Sequence, residues 1–336
     1  MAINKILNPI LRYYGGKWRL APWIISYFPP HRVYVEPYCG AASVLLRKPK
    51  SKVEVLNDQH ERLVSLFQVL RDPDTARQLR ENLKYTPCSM VEYMEARERC
   101  ADPLEDARRM IILGQQAHGS TGAAGGKKSG WRRGVRRFSP SSADCWARLW
   151  KQVGRWSARL RAVYLESSEA LDVIRRYDST DTLFYIDPPY LASTRNNAYG
   201  YAHELSDQGH KELAEALQTI QGKAIVSGYP SALYKDELYK DWHVESHEAR
   251  TDKGGYALEY LWMNFNPNVA NTPRYRQQIG ASMTHQIRAT QTTKAIESAI
   301  SELEAGNHRV TRTAVAAMVG ISREHISRRY GHLFGK

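Results

Sequence analysis

Two hydrophobic rhythms alternate along this chain. Short apolar runs that end at an acid, glycine or proline are followed by stretches whose apolar residues recur every three or four positions. "HRVYVEPYCGAASVLLRK" (31–48) reads as a strand at Val33–Val35, closed at Glu36, then a Gly/Ala-rich turn into a helix. "KVEVLNDQHERLVSLFQVLRD" (52–72) repeats the plan, with a strand at Val53–Leu56 and Asp58 at its end. Leu63, Leu66, Phe67 and Leu70 then fall on one helical face. Strand–turn–helix twice in succession predicts parallel strands joined by helical crossovers, and hence an α/β sheet. The pattern resumes with "RAVYLESSEALDVIRRY" (161–177), a strand at Leu183–Ile186, a helix over 210–220, and apolar runs at 223–229, 242–250 and 257–265.

Residues 73–160 interrupt that rhythm with charged segments that read as helical, 74–85 and 89–117. They lead into "HGSTGAAGGKKSGWRRGVRRFSPSS" (118–142), too poor in aliphatic residues for a core element. An interruption of roughly 85 residues exceeds a plain loop and predicts an inserted domain. The sheet domain is therefore expected over 1–72 plus 161–268, with the insertion at 73–160. A polar, proline-containing linker covers 269–282, and a small helical unit fills 283–336.

Charge sharpens the picture. The chain has 336 residues, with 48 Lys+Arg against 35 Asp+Glu and a net charge of +13. Such an excess suits a polyanion, because each neutralised phosphate releases counterions. Cys39, Cys88, Cys100 and Cys145 lie far apart, with no CxxC pair or matching histidine spacing, which argues against a metal site and a disulfide framework. No apolar run approaches about 18 residues and the start lacks a signal-peptide core, so a cytoplasmic protein with no membrane partner is expected.

Three stretches carry candidate chemistry. In "LFYIDPPYLASTR" (183–195), Pro188 and Pro189 stop an apolar strand, because proline cannot donate to a sheet ladder. That places the Asp187 carboxylate, a free proline carbonyl and the Tyr190 ring beyond the strand's carboxyl end, the edge where open α/β sheets bind ligands. In "VYVEPYCGAAS", Gly40 with Ala41 and Ala42 lets a helix N-terminus approach a ligand, and Asp58 follows 18 residues later, placed for ribose hydroxyls. The single glycine does not make a dinucleotide loop, and no Lys-Ser/Thr ending makes a P-loop. An adenosine-bearing ligand without pyrophosphate fits, S-adenosylmethionine being the common one. "RYYGGKW" (12–18) adds backbone freedom at Gly15-Gly16, aromatic surface at Tyr13 and Tyr14, and the Lys17 cation.

RYYGGK, VEPYCGAAS, Asp58 and DPPY, in that order around a long insertion, resemble the Dam-like class of adenine-N6 DNA methyltransferases, especially phage and prophage members. The resemblance covers about residues 8–265. It implies a doubly wound, Rossmann-like, mostly parallel methyltransferase sheet and an S-adenosylmethionine site on Tyr13, Gly15, Lys17, Glu36, Cys39, Gly40, Asp58, Ser167 and Asp187. It makes Asp187, Pro188, Pro189 and Tyr190 the catalytic quartet and the insertion a target-recognition domain, with no metal. The Asp187 carboxylate and Pro188 carbonyl would each accept one N–H of the adenine amino group and localise its lone pair. Acceptors set in advance toward developing positive charge are an oxyanion hole with the sign reversed. Tyr190 would stack on an adenine flipped out of double-stranded DNA. This chain has Gly40-Ala41-Ala42 where the family often has Gly-Ala-Gly, a mild departure.

The basic side chains fall in two places. Lys127, Lys128, Arg132, Arg133, Arg136 and Arg137, with glycines and Trp131 between them, suggest a loop that closes on phosphates and can insert an aromatic ring. In 283–336 the pattern is that of a helix-turn-helix. Ile296, Ile300 and Leu303 share a face ended by Gly306; Thr311 or Thr313 caps a helix; Gly320 turns the chain. Ser322 then caps a second helix carrying Arg323, His325, Arg328 and Arg329 toward a major groove. A monomer or weak dimer is expected. Two other readings keep the fold: transfer to cytosine-N4, RNA or a protein amide, or a DNA-binding regulator without activity.

Overall fold

The computed structural model describes residues 6–124, 129–133, 141–195, 201–250, 255–267, 292–293, 295–306 and 310–334. Seven strands form one sheet: β1 (Val33–Glu36), β2 (Val53–Asn57), β3 (Tyr164–Glu166), β4 (Thr182–Ile186), β5 (Lys223–Gly228), β6 (His243–Arg250) and β7 (Tyr256–Met263). Their order is β3-β2-β1-β4-β5-β7-β6. The first five strands pair in parallel, while β7 runs antiparallel to β5 and β6 antiparallel to β7. All five residues of β4 are buried, as expected of a central parallel strand covered on both faces. Strand order reverses between β1 and β4, which opens a crevice at their carboxyl ends.

The helices are α1 (Ala21–Ser26), α2 (Ser43–Arg47), α3 (Glu61–Arg71), α4 (Pro73–Tyr85), α5 (Met90–Glu95), α6 (Pro103–Gln116), α7 (Ser142–Leu149), α8 (Val153–Leu160), α9 (Ala170–Tyr177) and α10 (Asp207–Thr219). Leu63, Leu66, Phe67 and Leu70 of α3 are all buried. The stretch 89–117, which reads as one helical segment, is two. The Asp102 side chain accepts the Leu104 N–H, and Pro103 starts α6, where its missing N–H costs nothing. A second difference lies beyond α6. Ala117 pairs antiparallel with Trp131, Arg132 N–H donates to the Gln116 carbonyl at 2.8 Å, and Ala123 and Ala124 are buried. Small side chains let this aliphatic-poor stretch pack closely despite its composition.

Helices between β2 and β3 hold the N-terminal segment in place. Gln115 on α6 donates to the Pro9 and Ile10 carbonyls at 3.1 and 2.8 Å, and the Trp156 indole on α8 donates to the Asn8 carbonyl at 3.1 Å. Gly114 admits Leu11 so closely that an added β-carbon would sit 2.8 Å from it. A buried ion cluster binds α8 to the sheet. Glu54 on β2 meets Lys48 at 2.7 Å, and Arg159 meets it through two bonds, while Arg159 also reaches the Leu45 carbonyl.

Two compact units divide the chain: residues 1–133 with 146–272, and 134–145 with 273–336. In the second, a helix over 295–305 and the helix Arg312–Val319 enclose a small core. Ile296, Ile300, Val315, Ala316, Ile326, Tyr330 and Leu333 build it, with Leu303 against it. Thr311 is the residue that caps Arg312–Val319, accepting Ala314 N–H at 3.1 Å. Gly320 turns at φ 71°, and Ser322 caps a turn at Arg323–His325 that widens over Ile326–Tyr330. No helix among the described residues is long and apolar enough to cross a membrane.

Removing one member of a buried ion cluster strands the others' charges at about 3–5 kcal/mol. Glu54→Ala is therefore expected to lower stability by that order, read from urea denaturation followed by tryptophan fluorescence. An unchanged midpoint would show that Lys48 and Arg159 need no carboxylate between them.

Candidate functional site

A cavity opens at the carboxyl ends of β1 and β4, where the strand order reverses. Five stretches of chain line it: 13–17, Glu36 with the loop to Val44, Asp58–His60, Glu169–Leu171 and the segment 201–205. Tyr185, Asp187, Pro189, Gly209 and Glu212 complete the wall. Backbone geometry sets its shape. Gly15 sits at φ 72°, where a β-carbon would lie 2.7 Å from the Tyr201 hydroxyl. Gly40 sits at φ 46° with the Tyr13 ring 3.4 Å from its missing β-carbon. Ala42, buried, takes φ 52° at the start of α2, a left-handed conformation that costs an alanine roughly 1–2 kcal/mol. The loop thus turns tightly with small residues, as a wall meant to admit a ligand requires.

The acids in the wall have partners already. Glu36 Oε1 accepts the Tyr34 hydroxyl at 2.7 Å and the Leu45 N–H at 2.8 Å. Burial nonetheless pushes the Glu36 carboxyl up to about 8. Asp58 accepts Gly40 N–H at 2.9 Å and His60 N–H at 3.0 Å, one on each oxygen, while burial raises its carboxyl. It therefore ties the two nucleotide-like loops together. Tyr13 reaches His60 Nδ1 at 3.2 Å, and burial lowers that imidazole to about 4, which keeps it neutral near pH 7.

Lys17 is the hub. It is 5% exposed, donates to the Gly15 carbonyl at 2.7 Å, and lies 2.9 Å from Asp187 Oδ1 and 3.4 Å from Glu259. Burial opposes its charge, but Asp187 and Glu259 outweigh burial and hold its pKa above the ordinary lysine range. Ser227 on β5 donates to the same Asp187 Oδ1 at 2.8 Å. Both contacts fall on one oxygen, so Oδ2 carries neither. Tyr190 donates its hydroxyl to Glu259, and Lys17 lies 4.7 Å from its ring centre.

Tyr13, Gly15, Lys17, Glu36, Cys39, Gly40, Asp58, Asp187 and Pro189 all line the cavity. Ser167 does not. Its hydroxyl donates to the Asp58 carbonyl, and Glu169–Leu171, just beyond it, reach the wall instead. Pro188 and Tyr190 also lie off the lining, and Tyr190 is 5% exposed. Three participants escape a reading of the sequence: Glu259, Ser227 and Tyr201. Glu259 left a signal, an acid in phase with buried Leu261 and Met263 along β7. Ser227 likewise interrupts an apolar strand near its end.

Of the basic residues, Trp131 is half-buried, with its indole donating to Gln116 Oε1 at 3.2 Å. Arg133 is exposed and Arg132 partly so, while Lys127, Lys128, Arg136 and Arg137 lie outside the described residues. Tyr93 and Arg97 of the insertion both donate to the Ser129 carbonyl, which anchors the foot of this stretch. In the second unit Arg323, His325 and Arg328 are exposed, and the backbone of Arg329 continues the same turn.

A family model described as D12 class N6 adenine-specific DNA methyltransferase matches residues 13–252. The DNA adenine methylase of Salmonella typhi is 25% identical over 283 residues, covering 79% of this chain and 97% of that protein. The DNA adenine methylase of Escherichia coli K12 is 24% identical over 241 residues, covering 67% and 82%.

Asp58→Ala would leave the Gly40 and His60 N–H groups without an acceptor. Each buried orphan costs about 1–3 kcal/mol. A lower thermal midpoint is expected even without ligand, whereas an unchanged midpoint would leave the aspartate no role in joining the loops.

Proposed function

The chain belongs to the D12 class of N6 adenine-specific DNA methyltransferases and is an enzyme of that activity, and we propose that it acts on an adenine flipped out of double-stranded DNA with S-adenosylmethionine bound in the cavity. The chemistry of the wall supports that cofactor. Glycines at positive φ allow close approach, Asp58 keeps lone pairs for hydroxyl donors, and the aromatic rings of Tyr13 and Tyr38 flank the same space. When bound, S-adenosylmethionine supplies the methyl group.

The observation that carries the reading is the state of Asp187. Its Oδ1 is fixed by Lys17 and Ser227, so the carboxylate cannot swing and Oδ2 is the oxygen left for a substrate donor. Oδ2 accepts one adenine N–H and the Pro188 carbonyl the other. The proline nitrogen has no hydrogen, so this backbone has no ladder to join. Two acceptors draw the amino nitrogen toward tetrahedral geometry and localise its lone pair. They also stabilise the positive charge it gains, until it loses a proton to water. Holding the reactants in near-attack geometry lowers the barrier further. Tyr190 gives the base its stacking surface. With so little of it exposed, base entry displaces part of its cover, beside the more accessible Tyr229 ring at 4.9 Å.

Binding of DNA is divided between two basic elements in this reading. The insertion, residues 73–160, serves as the recognition domain and presents Lys127 through Arg137 to phosphates. The C-terminal unit is a helix-turn-helix, supported by the Thr311 cap, the Gly320 turn and the exposed Arg323, His325 and Arg328. Arg329 follows on the same element. The parallel sheet with its crossover helices corresponds to the doubly wound methyltransferase arrangement. A lysine, two carboxylates and a tyrosine kept together at high desolvation cost argue against an inactive regulator.

Asp187→Ala is expected to lower kcat by about two to three orders of magnitude, the scale for losing one aligned transition-state partner, with DNA affinity retained. Near-normal kcat would contradict the acceptor role. Neutralising Arg132, Arg133, Arg136 and Arg137 together is expected to flatten the salt dependence of DNA binding. The slope of log K against log salt falls by about 0.9 for each lost phosphate contact. A wild-type slope would make the stretch a solvated loop. Replacing Arg323 and Arg328 by alanine tests the C-terminal unit in the same assay, with weaker DNA binding and unchanged kcat expected.

A further inference from the structure

Glu259 is an acid in the middle of an apolar strand. It is 4% exposed, in phase with the buried Leu261 and Met263 of β7, at a position where burial raises its carboxyl. A buried carboxylate is costly unless charged and hydrogen-bonded partners compensate it. Here the partners are the Tyr190 hydroxyl, which donates to it, and Lys17, 3.4 Å away. Both belong to the proposed reaction centre, and Glu259 itself does not line the cavity.

We propose that Glu259 is a positioning residue for methyl transfer: it shares the Lys17 charge so that Asp187 keeps its strength as an acceptor, and it fixes the Tyr190 ring. The inference rests on the reading of Asp187 and Tyr190 given above. An ammonium 2.9 Å from a single carboxylate would largely neutralise it as an acceptor for the adenine amino group. A second carboxylate, Glu259 at 3.4 Å from the same ammonium, changes the balance. Lys17, Asp187 and Glu259 together carry one net negative charge, placed beside the base. Transfer moves positive charge from the sulfonium to the adenine nitrogen, toward these groups, so their net sign favours the transition state over the ground state. Removing the Glu259 charge leaves a neutral pair and withdraws that preference.

The same network explains why Tyr190 is held. Its hydroxyl donates to the Glu259 carboxylate, and its ring is flanked by Lys17 at 4.7 Å and Tyr229 at 4.9 Å. Glu259 therefore ties the stacking ring and the charge balance to one atom group on a strand that belongs neither to the cofactor loops nor to the DPPY loop.

The test is Glu259→Gln in the full chain, which keeps shape and hydrogen bonding but removes charge. Single-turnover methylation of duplex DNA is expected to slow by about tenfold or more, with S-adenosylmethionine affinity changed less than about twofold. A merely structural acid would not give that split. Charge rescue supplies a second readout: Glu259→Asp restores a carboxylate at this position of β7, and turnover faster than in Glu259→Gln is expected. Glu259→Asp also covers the case in which Glu259→Gln folds poorly. Wild-type single-turnover rates in Glu259→Gln, or a Glu259→Asp variant no faster than it, would overturn the proposal. Asp187→Ala run alongside separates the two readings. If it is inactive while Glu259→Gln is normal, only the role of Glu259 fails; if it is itself active, the reading of the centre fails.

Discussion

One buried ammonium organises this site. Lys17 comes from a segment ahead of the first strand, Asp187 from the end of β4 and Glu259 from an antiparallel strand near the far edge of the sheet. Taking three charges out of water costs several kcal/mol per ion before their attractions are counted. The fold must therefore hold all three segments in register, and it does so through contacts that otherwise look unrelated. Gln115 of α6 and Trp156 of α8 pin Asn8–Ile10, and the Glu54–Arg159 pair pins α8 to β2. α6 and α8 thus hold the segment that leads to the lysine.

The same constraint divides the work between the two sides of the centre. On one side the glycine-bearing loops, joined through Asp58, make a wall that fits a cofactor. On the other, Ser227, Glu259 and Tyr190 form a network around the Asp187 acceptor and the ring. Asp187 stands between them, with one oxygen committed to the protein and the other available. In the proposed mechanism a carboxylate so fixed need not reorganise when the base arrives, which is where an enzyme gains most over water.

Much of this was legible in the sequence because it is local. Apolar runs stopped by Glu36, Asp58 and Pro188 marked strand ends, and the spacing of Leu63 to Leu70 marked the buried face of a helix. Gly320 and Ser322 announced their turn and cap by residue type, which left Thr311 and Thr313 both open for the first cap. Where the reading fell short, the missing information was non-local or was outvoted. Asp102-Pro103 was a visible helix start, yet the charged composition on both sides hid the break between α5 and α6. Ser167 was named from its motif, but the chain carries the wall two residues further on, at Glu169. Glu259 and Ser227 matter only because β5 pairs with β4 and β7 with β5, and strand order in space is not written in any one segment.

The most direct test of the account is the charge state of Lys17. Selective 15N labelling of lysine, with assignment by Lys17→Met, would follow the Nζ resonance as pH rises. The account predicts an ammonium that stays protonated beyond the ordinary lysine value of 10.5 and resists exchange with water. A Lys17 signal that titrates below that value would contradict it, because burial would then have won over the two carboxylates.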